Sequence, residues 1–444
     1  MAPGIIQMNR YNITGLCGFA LCLYLLLIFR IGTQPFSDFQ FYYDLAIGII
    51  QGHAISDFAR YFQPAGYPYL LSLLFRVGPT SILIPQVMNA LMMAILIGVY
   101  LACPYIESSA SLMWGYLALV FNVNYLSMVT VLGSEIPYVF FLLIGLYLFG
   151  RGFKGLVQKG PLMHWKRYLF FLFAGLLFGM SQFIRPVTFP FLFLLSFFIL
   201  LGLRYFTLLE NAKEQSSLFK RSVFSLSLTW LCFFLGTVLL YGGAGYGMSY
   251  VPKQKGLWNL YVGFNAESRG AWNLKDAELI TQLGERYHWD GDKINGDFQP
   301  MVYDRVKKNW IKNLQILPEK LYHLLTPRGI PFWAIEQSRV QDKEKIYGLS
   351  NYFCWMNVLV LTISIWAWVN CLGRKDKSWG EYFAFSALGA SFLYLIVHAY
   401  FLEVQGRYSN HLWMIMFIFI PVSLRILRES LVRDKSARSP VGQT

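Results

Sequence analysis

Apolar residues run along this chain in long unbroken stretches, without the alternation or one-sided stripes of a soluble domain. A helix crosses a bilayer with ~20 apolar residues. Stretches of that order occupy residues 12–30, 82–103, 111–131, 135–150, 168–184, 186–206, 223–247, 351–372, 381–401 and 408–427. The pattern predicts an all-α polytopic membrane protein with about ten transmembrane helices. The apolar stretch Pro64–Val77 is too short to cross, and its prolines and Arg76 predict a helix lying in the interface. The chain divides accordingly into a transmembrane module, residues 1–247, with a first outer loop at 31–81; an extracytoplasmic loop domain, 248–350; and C-terminal transmembrane helices with a tail, 351–444. The first apolar run begins near Tyr11, has full spanning length and shows no small-residue cleavage site before Arg30, so it reads as a retained helix.

Lysine and arginine in the short loops set the orientation. A cytoplasmic N-terminus puts the basic segments 151–167, 204–221 and 373–380 and the tail after Arg425 inside. Both termini are then cytoplasmic, and a cytoplasmic membrane is the expected location. The segment 248–350 falls outside, where its charge is no obstacle because long loops translocate regardless. With 56% hydrophobic and 14% charged residues the chain has no means of building a soluble surface. The net charge of +14 is accounted for by topology and membrane-lipid contact, without nucleic acid. The six cysteines lie within or at the ends of apolar stretches with no C-x-x-C pair, which argues against disulfides and structural zinc.

Charge at the outer side is where chemistry enters. Arg30, Arg60, Arg76, Arg185 and Arg407 stand in outer loops or at outer helix ends, and no lysine accompanies them in those short segments. The planar guanidinium fork matches phosphate oxygens and an ammonium does not, so an anionic phosphate at the outer interface is the economical partner. Snorkelling to lipid headgroups is the alternative, strongest for Arg30 and Arg76. Carboxylates in the membrane part are scarce, and each is a candidate. Asp38 lies just after the first helix in P-F-S-D-F-Q-F-Y-Y-D, where Ser37 or Asp38 itself also suits a helix cap. Asp44 reads as a solvated surface residue. Glu135 sits in G-S-E-I-P at an outer turn, where Ser134 as cap and a favourable helix dipole offer a purely structural account. Glu403 and Arg407 are four apart in E-V-Q-G-R-Y, the spacing of a local ion pair. His398, inside an apolar helix, reads as a hydrogen-bonded packing residue. No metal-ligand spacing, serine-nucleophile elbow or phosphate-cradling glycine loop occurs. No cofactor is required on this reading, although a few carboxylates are able to hold a divalent cation.

Taken in order, S-D-F-Q-F-Y-Y, Q-P-A-G-Y-P, G-S-E-I-P, F-I-R-P, N-L-Y-V-G-F-N-A-E-S-R-G-A-W-N (259–273) and E-V-Q-G-R-Y give the chain a resemblance to the glycosyltransferase-C (GT-C) superfamily. These are multispanning transferases that use lipid-linked sugars, among them protein O-mannosyltransferases and the lipid A aminoarabinose transferase. The resemblance implies a polyprenyl-phosphate-linked sugar donor, a lipid, glycan or protein acceptor, and inversion at the anomeric carbon. It makes Asp38 the catalytic base. It assigns the donor phosphate to Arg185, Arg407, Arg60 and Tyr67, and sugar or acceptor contacts to Glu135, Tyr42, Tyr43, Glu403, Tyr408 and Asn265. The nearby Tyr61 joins the tyrosines that position sugar or phosphate. Family members often carry two adjacent acids in the first loop; here Asp38 is followed by Phe39. The loop 248–350, rich in aromatics, is expected to fold over the site as a lid. Two rival readings stand beside this one. A transporter or flippase predicts inverted repeats and midplane charges, whereas the charges here gather at one face. A polysaccharide ligase or polymerase with a diphosphate-linked donor needs outer arginines just as much.

Overall fold

The computed structural model describes residues 10–35, 37–52, 66–102, 109–157, 164–206, 212–243, 255–325, 338, 342–373 and 378–438, and among them every regular element is helical. Nine of these helices are long and apolar enough to cross a membrane. They are α1 (Arg10–Ile31), α4 (Leu83–Leu101), α7 (Glu135–Val157), α8 (His164–Ile184), α9 (Thr188–Tyr205), α10 (Ala212–Gly243), α15 (Lys343–Leu372), α16 (Trp379–Phe401) and α17 (Asn410–Arg438). Several run past their apolar stretch. α10 and α15 begin eleven and eight residues before the stretches at 223 and 351, because Lys, Glu and Gln sustain a helix as well as Leu does once it leaves the bilayer.

The stretch 111–131 departs from expectation. It forms two short helices, α5 (Ser109–Val120) and α6 (Val123–Thr130), separated at Phe121–Asn122. The physical reason is Asn122, whose buried carboxamide donates to Asn357 Oδ1 on α15 at 3.1 Å and whose carbonyl accepts the Leu126 amide to start α6. A buried amide must be bonded, and the helix breaks to deliver it. The chain still passes from one end of the bundle to the other here. Tyr100, at the end of α4, bonds Leu112 O, while Thr130 at the far end of α6 meets Thr33 Oγ1 at 3.3 Å and Gln86 Nε2 at 2.6 Å.

The first outer loop carries two helices too short to span, α2 (Asp38–Ile50) and α3 (Gly66–Val77), as the sequence implied for the second of them. They pack on each other through Tyr42 and Tyr67, edge to face at 5.2 Å. The start of α3 lies directly on the end of α8: a Cβ at Gly66 would stand 2.0 Å from Phe183 O and 2.9 Å from Ile184 N. Backbone cannot yield as a side chain does. Gly66→Ala is therefore expected to cost about 1–3 kcal/mol, the range for overpacking, and to lower the thermal midpoint in nanodiscs; an unchanged midpoint would refute this docking.

The loop domain is ordered and helical over α11 (Lys255–Gly263), α12 (Leu274–Arg286), α13 (Gly291–Gln315) and α14 (Leu317–Leu325). Its core joins Trp258, Tyr261, Ile280, Leu283, Ile294 and Phe298. At its centre Asp276 accepts from Arg305 at 2.9 Å, Asn265 at 2.9 Å and Asn273 at 2.8 Å. Burial alone would raise the Asp276 pKa, but these hydrogen bonds, led by Arg305, hold it below the usual value.

The domain is tied to the bundle at the turn after α16. Glu403 N donates to Asn259 O and Val404 N to Gly270 O, at 3.0 and 2.9 Å. Lys320, fully buried, completes the tie by donating to Gly263 O, Asn313 Oδ1 and Tyr400 O at 2.7, 3.2 and 3.1 Å. Burial among neutral acceptors pushes its pKa from 10.5 down to about 7. In the unfolded chain Lys320 keeps its proton to its ordinary pKa, so above about pH 7 unfolding takes up a proton and stability rises with pH until the ordinary value is reached. Hydrogen exchange across α11–α14, corrected for intrinsic rate, should slow between about pH 7 and pH 9. Lys320→Met, which strands Gly263 O and Asn313 Oδ1 while Tyr400 O keeps its bond from Asn313, should remove that dependence and destabilise the docking. Persistence of the full pH dependence in the variant would exclude Lys320 as its origin.

Candidate active site

Contacts gather the predicted polar residues at one end of the bundle. There α1 and α8 end, α4, α7, α9 and α17 begin, and α2 and α3 lie across them. Glu135, the first residue of α7, is buried, and its Oε1 accepts from Arg185 Nη1, just past the end of α8, at 3.2 Å. The carboxylate lies over Gly133, where a Cβ would meet Glu135 Oε2 at 2.4 Å and the Phe39 ring at 3.2 Å. That contact brings Phe39, and so the first turn of α2, to the same place. Tyr67 lies near enough for the Glu135 charge to raise its pKa, second to burial. At neutral pH its phenol is a hydrogen-bond donor.

Half of the structural account of G-S-E-I-P stands: Glu135 is the acid in the first turn of α7, but no side-chain cap precedes it. Ser134 Oγ is buried without a hydrogen bond, and Glu135 pairs with Arg185 instead of merely facing the helix dipole. Ser37 does occupy the N-cap position of α2, again without a side-chain capping bond, and Asp38 is the half-buried first residue of that helix. Asp44 is a surface residue bonded by Gln40 at 2.7 Å.

On the other side of Arg185 the turn between α16 and α17 supplies Tyr408, whose ring centroid is 5.6 Å from the guanidinium. Behind Tyr408 stand His398, with centroids 5.8 Å apart, then Tyr394 and His411, 5.3 Å apart, and Tyr138 at 5.4 Å from His411. His398 Nε2 lies 3.0 Å from Glu403 O, in agreement with the packing role read from sequence. Six buried atoms in this region have no hydrogen-bond partner among the described residues: Tyr67 OH, Ser134 Oγ, Glu135 Oε2, Tyr138 OH, His398 Nδ1 and His411 Nε2. A buried unsatisfied polar group costs ~1–3 kcal/mol, so six of them near one arginine call for an explanation beyond packing.

The remaining predicted residues divide clearly. Tyr42 is buried on Tyr67; Tyr43 donates to Thr80 O at 2.8 Å and packs on Phe75, so it serves the α2–α3 pair. Glu403 is buried and receives the Gln405 carboxamide. Asn265 is not brought to Arg185; its side chain is engaged by Asp276 and by the amides of Glu267 and Ser268 inside the loop domain. Arg60 and Tyr61, and the side chain of Arg407, lie outside the described residues, so its spacing with Glu403 has no described ion pair. Arg30 and Arg76 are exposed. No group of three or more His, Cys, Asp or Glu suited to a metal ion occurs among the described residues. His411, Tyr394 and Tyr138 escaped the sequence reading. Their only signal was position: His398 and His411 flank the last outer turn at nearly equal distances, so an antiparallel pair sets them level.

A solved structure shares this arrangement of helices. The oligosaccharyltransferase of Archaeoglobus fulgidus in its apo form matches with a TM-score of 0.53 at 13% identity, over 98% of this chain and 53% of that one. The chain thus spans about half the length of that protein. ArnT from Cupriavidus metallidurans, bound to undecaprenyl phosphate, gives a TM-score of 0.38 at 11% identity, over 93% of this chain and 78% of that one. No protein family and no curated sequence matches. The fold is all-helical and polytopic, as the sequence implied, and is shared with that oligosaccharyltransferase over 98% of this chain.

Proposed function

We propose that this chain is an integral membrane glycosyltransferase that moves a sugar from a polyprenyl-phosphate-linked donor to a lipid, glycan or protein acceptor outside the cytoplasm, with inversion. The observation that carries the reading is the buried Arg185–Glu135 pair, with unpartnered polar atoms near it, at the bundle end where α2 begins with Asp38. The fold likeness to an oligosaccharyltransferase supports it. In the reaction the Asp38 carboxylate takes the acceptor's hydroxyl proton and the acceptor oxygen bonds to the anomeric carbon. The bond from that carbon to the phosphate oxygen breaks, and polyprenyl phosphate leaves with the electron pair. One base suffices, because a phosphate leaving group needs no proton; it needs positive charge, which Arg185 supplies with Tyr67 as a neutral donor. Arg407 and Arg60 belong to the same phosphate site on this reading. Glu135 orients Arg185 and, through Oε2, accepts from a sugar hydroxyl. The protein resides in a cytoplasmic membrane with both termini inside and this site outside.

The test offers purified protein in nanodiscs radiolabelled polyprenyl-phosphate sugars with candidate acceptors. Transfer from a monophosphate-linked sugar is the expected result. Transfer only from a diphosphate-linked chain would replace the reading with a ligase or polymerase, and donor translocation in sealed vesicles without transfer would replace it with a flippase.

A further inference from the structure

A second surface of the molecule bears on how it meets the bilayer, independently of the reaction proposed above. Helix α13 is amphipathic twice over. One face, with Ile294, Phe298 and Val302, is buried in the loop domain. The opposite face carries Tyr303, Lys307, Trp310, Ile311 and Leu314, which fall within an arc of about 100° at helical spacing. That face is open: Ile311 is 70% exposed, Tyr303 67%, Leu314 59% and Trp310 49%. Lys308 and Lys312, also exposed, flank it. A stripe of one tyrosine, one tryptophan and two aliphatics, with Lys307 within it and Lys308 and Lys312 along one edge, has the composition of a helix resting in the headgroup layer.

Its position says which surface it meets. The Trp310 ring contacts Tyr400 and Phe401 at the end of spanning helix α16, with centroids 5.2 and 6.2 Å apart, and Tyr400 OH donates to Trp310 O at 3.1 Å. Val397, one turn before Phe401 on the same face of α16, is 41% exposed, and Phe401 itself 36%. The exposed apolar patch at the end of α16, Ile396, Val397 and Phe401, therefore continues through Phe401 onto Trp310, with Ile311 and Leu314 beside it on α13. Buried Asn313 and Lys320 both bond Tyr400 O and fix α13 at this height.

We propose that the C-terminal half of α13 is immersed in the outer headgroup layer. There its Trp310–Ile311–Leu314 face is covered by lipid and Lys307, Lys308 and Lys312 bind anionic headgroups. The loop domain is thereby held down on the membrane at a second point, beyond its tie to the turn after α16. Trp310 anchors at the polar–apolar boundary, Ile311 and Leu314 enter the acyl region, and the lysines extend outward to phosphate.

The full chain is reconstituted in nanodiscs of phosphatidylcholine with or without phosphatidylglycerol. A nitroxide is attached through a genetically encoded keto residue at position 311, which leaves the native cysteines untouched; position 293, exposed near the other end of α13, is the reference. Expected is an oxygen-to-nickel-chelate accessibility ratio at 311 several-fold above that at 293, rising further with phosphatidylglycerol. The triple variant K307E/K308E/K312E should lose the phosphatidylglycerol response. A ratio at 311 equal to that at 293 would overturn the proposal, as would shielding of 311 from both relaxants, which would mean that protein, a second copy included, covers the face. Hydrogen exchange of α13 in the unmodified chain checks the labelled protein: slower exchange in phosphatidylglycerol nanodiscs supports immersion, and identical exchange in both compositions overturns the headgroup contact.

Discussion

Asp38→Asn should abolish sugar transfer while expression, thermal stability and donor binding stay near those of the unaltered protein. The separation of effects follows from where Asp38 sits. Helix α2 docks through Phe39, Tyr42 and Ala46, all buried, whereas Asp38 is a half-buried residue of the first turn. Asparagine keeps the shape of the side chain and removes its negative charge, and with it the capacity to take a proton. Loss of a general base costs ~10²–10⁴ in rate, so single-turnover transfer from a radiolabelled donor should fall by that order while donor co-purification is unaffected. Asp38→Glu, which moves a competent base by one methylene, should recover part of the rate. Full turnover in Asp38→Asn would remove this residue from the mechanism, and the search for the base would pass to Glu135.

What the sequence disclosed follows the strength of the physical signal behind it. Spanning helices were legible because the bilayer imposes length and hydropathy together, and nine helices stand where apolar stretches lay. The broken α5–α6 pair was not legible, since hydropathy averaged over 111–131 does not register one buried carboxamide. Its partner Asn357 lies 235 residues away. At the site the scarcity of membrane carboxylates pointed to Glu135, and the outer arginines to Arg185, but no spacing links two residues fifty apart. Asn265 shows the opposite error: its motif lies in a segment that docks on the bundle, yet the side chain turns inward to Asp276. Position along a chain says which segment reaches a site; the direction of each side chain depends on the neighbours it finds there.

Arg185 is the second residue on which the reading turns, and its variants separate folding from chemistry. Its pair with Glu135 is largely buried, the arginine 17% and the glutamate 3% exposed. Arg185→Met leaves a buried carboxylate without its counter-charge, which costs about 3–5 kcal/mol, so the variant should lose stability and activity together. That result alone would be uninformative. Adding Glu135→Gln removes the stranded charge, and the double variant Arg185→Met/Glu135→Gln should regain most of the thermal midpoint with no regain of transfer. Arg185→Lys is the decisive change. The ammonium keeps a positive charge beside Glu135, so the protein should fold and bind membrane as before, but a point charge cannot hold Glu135 and a phosphate oxygen in the geometry of a planar fork. Loss of one preorganised donor to a developing anion costs ~10²–10³ in kcat, and the lysine variant should show a loss of that size with a much smaller change in KM. Turnover near normal in Arg185→Lys would leave the pair a structural strut between α7 and α8, and the donor phosphate would have to be held elsewhere.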